Sequence, residues 1–294
     1  MTAVFCRNAA DRKAETWAER LEPFDRLEFA LSDAAKGIAA AVERVAAGRG
    51  GGDGDGPKTP LGHGLDVFHT AQEAHRVLAR HWRRAEAAWE EAEAAQARVA
   101  RARRDGVDAR GPSGPARAAW RKATKALERV ERLEGAWRRA RAALEVFRPD
   151  GRLNDRAWAE GQIAAALPGL AGAEWKKVRN FLGDRRSLAF LDRMHDRLGS
   201  VEPRPEYREA MAWRWWLRHH RQEPTDRPLA LVRAVGRECP LAEEERASYE
   251  RVSAVLGDTF RASSAVECMN SVLRMQQSRH RRMTQAMLDL KRLY

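Results

Sequence analysis

Between Leu27 and Leu31 the chain sets Leu27, Phe29 and Leu31 against Glu28 and Ala30. A period of two places successive side chains on opposite faces, so this segment predicts a strand that stops at Ser32-Asp33. Just upstream, Trp17, Leu21 and Phe24 recur at spacings of four and three, the signature of a short amphipathic helix ending near Pro23. From Ile38 to Gly48 Ala, Val and Arg recur at helical spacing. The order so far is helix, strand, a turn bearing Asp33, and helix. The stretch "GRGGGDGDGPKTPLGHG" that follows has the composition of a flexible surface loop. It lacks the Gly-Lys-[Ser/Thr] ending of a phosphate-binding P-loop. Leu65, Val67 and Phe68 then predict a brief apolar strand that passes into a helix near Thr70.

The rest of the chain to about residue 260 reads as helix. "HRVLARHWRRAEAAWEEAEAAQARVARARR" and "PARAAWRKATKALERVERLEGAWRRARAALEVF" are separated by "DGVDARGPSGP". Val77, Leu78, Trp82, Ala85 and Trp89 trace one face of the first. Trp120, Leu127, Val130, Leu133, Trp137, Ala140 and Leu144 trace one face of the second. The pair predicts an antiparallel helical hairpin. Beyond Pro149-Asp150-Gly151, shorter helices are expected at residues 155–167, 173–182, 186–198, 205–220, 227–236 and 241–257, and a last one from Ser264 to Tyr294. No fixed-period repeat is present, and the heptads are too irregular for a long coiled coil. An unstructured excursion of this length would cost about 4 to 5 kcal/mol in closure entropy. A folded helical subdomain is therefore expected, with Trp213, Trp215 and Trp216 in its core. The expected organisation is a partial core over residues 1–75, an all-helical insertion over 76–258 and returning core helices over 259–294.

Charge changes the picture from fold to partner. The 294 residues hold 54 Lys and Arg against 42 Asp and Glu, a net +12. Such an excess favours polyanions, since each neutralised phosphate releases a counterion and arginine grips phosphate bidentately. Nucleic acid is the first expectation. No apolar run approaches the roughly 20 residues needed to span a bilayer, so no membrane partner is expected, and "MTAVFCRNAADRK" has no apolar core of a secretory signal. Cys6, Cys239 and Cys268 show neither metal-ligand nor CxxC spacing, which points to a reducing, cytoplasmic setting.

Individual acidic residues have two readings each. Asp33 stands where a helix N-cap is wanted. Ser264-Ala-Val-Glu267 fits a capping box, in which serine and glutamate satisfy orphan backbone donors. Asp66 and His69 form an Asp-x-x-His that reads either as a pair of metal ligands or, more often for a histidine at a strand-to-helix junction, as a hydrogen-bonding structural residue. His63 and His75 are expected at the surface.

The order of these segments resembles the catalytic domain of bacterial insertion-sequence DDE transposases. "LEFALSDAAKGIAAAV" is similar to the strand bearing the second catalytic aspartate, with Asp33 the match. "LDVFHT" is similar to the [C/D]-x-x-H signature of Mutator-like transposases, through Asp66 and His69. "RASSAVECMNSVLR" resembles the helix of the catalytic glutamate, through Glu267 with Asn270 and Arg274 beside it. The resemblance implies an α/β, partial RNase H-like sheet of few strands carrying a large all-α insertion, the whole predominantly helical. It also implies two Mg²⁺ (or Mn²⁺) ions held by Asp33 and Glu267 about 3.5 to 4 Å apart for strand cleavage and transfer. Transposon-end and target DNA are the implied partners, with a homodimer through the insertion, in the bacterial cytoplasm at the nucleoid. No residue matches the family's first aspartate, which precedes these elements, so the chain reads as N-terminally truncated. An alternative from another class is a non-enzymatic, Arg-rich helical nucleic-acid-binding or scaffold protein in which Asp33 and Glu267 are caps.

Downstream of Glu267, Arg274, Arg279, Arg281 and Arg282 form a basic run expected to meet DNA phosphates. Replacing Arg281 and Arg282 with Ala is predicted to weaken duplex binding whatever the DNA sequence, lowering the salt slope by about one per arginine. Fluorescence anisotropy across a salt series measures both quantities, and an unchanged affinity and slope would refute the basic groove.

Overall fold

The computed structural model describes residues 13–32, 36–50, 60–219 and 240–259. These residues are predominantly helical, with one two-stranded parallel sheet. In chain order they form α1 (Ala14–Leu21), β1 (Phe29–Ser32), α2 (Lys36–Gly50), β2 (Gly62–Leu65), α3 (Val67–Arg104), α4 (Arg110–Ala143), α5 (Arg156–Ala166), α6 (Lys176–Leu182), α7 (Ala189–Val201), α8 (Pro205–His219) and α9 (Glu243–Gly257). Short 3₁₀ turns occupy Leu167–Leu170, Ala173–Trp175 and Arg185–Leu188. The helices expected at 227–236 and 264–294 lie outside the described residues.

The chain divides into two compact units, and the boundary falls inside α3, after His69. One unit contains the sheet, α1, α2, Pro149–Asp155 and α7 to α9; the other comprises Thr70–Arg148 and Arg156–Gly183. Helices α7 to α9 thus share a unit with the sheet.

In the sheet unit, β1 and β2 pair in parallel with Phe29 opposite Gly62, Ala30 opposite His63, Leu31 opposite Gly64 and Ser32 opposite Leu65. Parallel strands need a crossover, and α2 lies on that connection. It packs Ala41, Val42 and Val45 against Ala18 of α1 and Leu61, with Trp17, Leu21, Leu27 and Ile38 around them. Arg49, buried on α2, donates to the carbonyls of Leu27 (2.6 Å) and Phe24 (2.5 Å). That tie satisfies backbone acceptors on the link from α1 to β1.

The second strand differs from the expected one. It is Gly62–Leu65, taken from the end of the supposed loop, while Val67 and Phe68 already belong to α3. The glycines have a packing reason: a Cβ at Gly62 or Gly64 would come within 2.8 or 2.7 Å of the Phe29 ring. Arg193 of α7 lies over the same ring at 5.1 Å and pairs with Glu28 at 2.9 Å.

In the other unit α3 and α4 run antiparallel. Ala88 and Ala92 meet Ala123, and further along Ala95 and Val99 meet Ala116. Spacings of three and four keep these positions on one stripe, and alanine lets the backbones approach closely. Along α4 the expected face is buried at Val130, Leu133, Trp137 and Ala140. On α3 Trp89 departs from its expected face. It is 40% exposed and meets Trp120 edge-on at 4.9 Å, because the seam runs through its small neighbours. Helix α4 begins five residues before the expected start, with Pro112 in its first turn and Pro115 in its second.

Helices α7, α8 and α9 close around Leu191, Met194, Leu198, Met211, Val252 and Val255. Trp213 and Trp216 are buried and stack at 5.3 Å, as core residues do. Glu202, 1% exposed between α7 and α8, is fully engaged. Arg204 donates to it at 2.7 Å, Ser248 of α9 at 2.7 Å and Arg251 at 3.3 Å. A buried carboxylate is tolerated only with such partners.

The Arg204 guanidinium, with Ser248 in support, holds the Glu202 carboxyl at about 2, below the usual 4.5. A depressed folded-state value means the stabilisation is complete above pH 4.5 and is lost as pH falls through about 2. Urea midpoints followed through this window should decline less steeply for Glu202→Gln than for the wild-type chain; parallel declines would contradict the assignment.

Candidate active site at the sheet edge

The carboxyl ends of β1 and β2 lie side by side, and the Asp66 N–H donates to the Ser32 carbonyl at 2.8 Å, one step past the last strand pair. Open parallel sheets present such ends to their ligands. Asp66 is 2% exposed. Its Oδ1 accepts the Phe68 N–H at 2.8 Å, which makes it the N-cap of α3. Its Oδ2 lies 3.8 Å from His69 Nε2, one turn onward, and the His69 ring is 43% exposed. The Asp-x-x-His pair therefore has a buried, oriented carboxylate and an imidazole that reaches solvent.

Of the other residues singled out in the sequence, Asp33, Glu267, Asn270, Arg274, Arg279, Arg281 and Arg282 lie outside the described residues. Asp33 follows Ser32 directly in the chain. Among the described residues no group of three or more His, Cys, Asp and Glu side chains is placed to hold a metal ion.

His63 is a correction. Expected at the surface, it is half-buried on β2 and bonds across the strands to Ser32 Oγ at 2.8 Å. On its other side Arg186 Nη1 lies 3.4 Å from His63 Nδ1. Arg186 is held in turn by Asp184 at 2.7 Å and faces Glu43 of α2 at 3.6 Å. Burial, then the Arg186 charge, pushes the His63 pKa below its ordinary value, so the ring is neutral at pH 7. A guanidinium only donates, which makes Nδ1 the acceptor and puts the proton on Nε2. Ser32 Oγ consequently receives a hydrogen bond from His63 and cannot pass its own proton to it. The arrangement fastens the two strand ends together and does not activate a nucleophile. Alternation of His63 and Leu65 with Gly62 and Gly64 was the available signal, obscured by the glycine-rich run before it.

No family model, curated protein or solved structure matches the chain. No helix among the described residues is long and apolar enough to cross a membrane.

Loss of an N-cap carboxylate costs about 0.5–2 kcal/mol. Asp66→Ala should therefore lower the urea unfolding free energy by about that amount, while Asp66→Asn, which can still accept the Phe68 N–H, should lose less. Equal losses in the two variants would show that the cap is not what Asp66 provides.

Proposed function

We propose that the chain is part of a DDE-type transposase catalytic region with an RNase H-like core, one that catalyses or once catalysed divalent-metal-dependent strand cleavage of DNA. The observation that carries the reading is the parallel strand–helix–strand unit, whose adjacent strands end at Ser32 and Leu65 and are each followed at once by an aspartate, Asp33 and Asp66. The resemblance calls for the second catalytic aspartate immediately after such a strand, with the Asp-x-x-His after the next. A net charge of +12 suits a polyanionic substrate.

In this reading Asp33 and Glu267 hold Mg²⁺ or Mn²⁺, hard cations that take carboxylate and water oxygens. When bound, the ions lower the pKa of an attacking water and offset charge on the leaving oxygen. Asp66 keeps the start of α3 at the edge and His69 presents an imidazole there. Asn270, Arg274, Arg279, Arg281 and Arg282 hold the phosphodiester backbone. A second reading, an Arg-rich nucleic-acid-binding scaffold, draws on the engagement of Asp66 as a helix cap, a task that needs no metal.

Incubation of the full chain with supercoiled plasmid and Mn²⁺ distinguishes the two. The transposase reading predicts nicked circles that are absent in EDTA. Their rate should fall at least about a hundredfold in Asp33→Asn and in Glu267→Gln, the scale on which one preorganised electrostatic group acts. Plasmid left intact contradicts present activity, and nicking equal in both variants contradicts the roles given to Asp33 and Glu267.

A further inference from the structure

The excess positive charge of the α3–α4 hairpin is concentrated at one end. Residues 94–126 hold nine Lys and Arg against two Asp, +7 of the chain's +12. The remainder of the two helices, residues 71–93 and 127–148, holds ten basic side chains against nine acidic and is nearly neutral. Because the helices are antiparallel, with Ala95 and Val99 against Ala116, the end of α3 and the start of α4 form a single tip. All nine basic side chains there are exposed. Arg110 pairs with Asp108, and Lys122 reaches Glu91. Arg98, Arg101, Arg103, Arg104, Arg117 and Arg121 make no salt bridge among the described residues.

Helix stability does not explain this distribution. Arginine in the last turn of α3 complements the helix dipole. At the start of α4 the dipole favours acids instead; Asp108 just before it accepts the Arg110 N–H at 2.9 Å, yet the first turn itself has none and opens on Arg110. The mutual repulsion of so many exposed arginines also opposes the fold. Both costs have a reason if a polyanion covers the tip.

We propose that the tip of the α3–α4 hairpin is a sequence-independent docking surface for the phosphate backbone of duplex DNA. Arginines one helical turn apart on two adjoining helices present forked donors at several orientations, which suits rows of phosphates. A lipid surface fits less well. The large apolar side chain exposed at the tip is Val107, at 62%, and an interfacial helix needs an apolar face to bury. This surface belongs to the hairpin and stands whether or not Asp33 and Glu267 hold metal.

The experiment compares two fourfold variants of the full chain on a fluorescent DNA duplex of arbitrary sequence across a salt series. The tip variant carries Arg98→Ala, Arg104→Ala, Arg117→Ala and Arg121→Ala; the control carries Arg80→Ala, Arg84→Ala, Arg132→Ala and Arg139→Ala, equal in charge but at the other end of the hairpin. Circular dichroism melting verifies that each is folded. The tip variant is expected to lose at least about tenfold in affinity at physiological salt, with a salt slope smaller by up to about 3.6, since each of four phosphate contacts contributes about 0.9. The control should retain wild-type affinity to within about threefold, its net effect being long-range charge alone. Equal losses in the two variants, or no loss in the tip variant, overturn the proposal. So does binding of the wild-type chain to phosphatidylserine vesicles, but not to DNA, that the tip substitutions remove.

Discussion

The parallel pairing of β1 with β2 is the constraint on which the sheet unit depends. Two strands of four residues contribute little by themselves. Their register is held by side chains on both faces. On one, the Phe29 ring fills the space over Gly62 and Gly64. On the other, His63 bonds to Ser32. A shift of one residue would put a Cβ under the ring and move the histidine away from the serine, so the alternatives are excluded sterically and by an unmet polar group. The consequence is positional: the Asp66 N–H reaches Ser32, α3 begins at once, and the chain enters position 33 from a fixed strand end.

Much of this was legible in the sequence, and the parts that were not have physical causes. The strand β1 is visible because Leu27, Phe29 and Leu31 alternate. Long helices α3 and α4 are visible from spacings of three and four. The strand β2 is hidden because its packing requires glycines, which read as loop when they follow a run of glycines. The seam of the hairpin is hidden because it is lined by alanine, and the larger Trp89 beside it attracts attention. Glu202 is hidden because its partners are Arg204 nearby and Ser248 and Arg251 some fifty residues on, a juxtaposition that only the packing of α7, α8 and α9 brings about.

For the site, the Asp-x-x-His pair was recognisable from four residues, and the structure adds what the pattern could not. Asp66 is buried and caps α3, whereas His69 is exposed. Local geometry thus gives Asp66 a structural task and places the His69 ring where it reaches solvent. His63 illustrates the reverse: its neighbours in sequence are glycines and give no hint that Ser32 and Arg186 converge on it. The charge asymmetry of the hairpin needed both sources. Sequence supplies the residue types, and only the antiparallel packing shows that arginines from two helices share one end.

The central claim is that the edge of the parallel sheet supports a divalent-metal site built on Asp33 and Glu267. Replacing the metal with Fe²⁺ in the presence of ascorbate and peroxide, then mapping backbone scission by mass spectrometry, tests it most directly, because the radicals generated cut within a few ångströms of the ion. The account predicts cuts clustered beside residues 33 and 267, suppressed by excess Mg²⁺. Scission spread along the chain, or clustered elsewhere and indifferent to Mg²⁺, would contradict it.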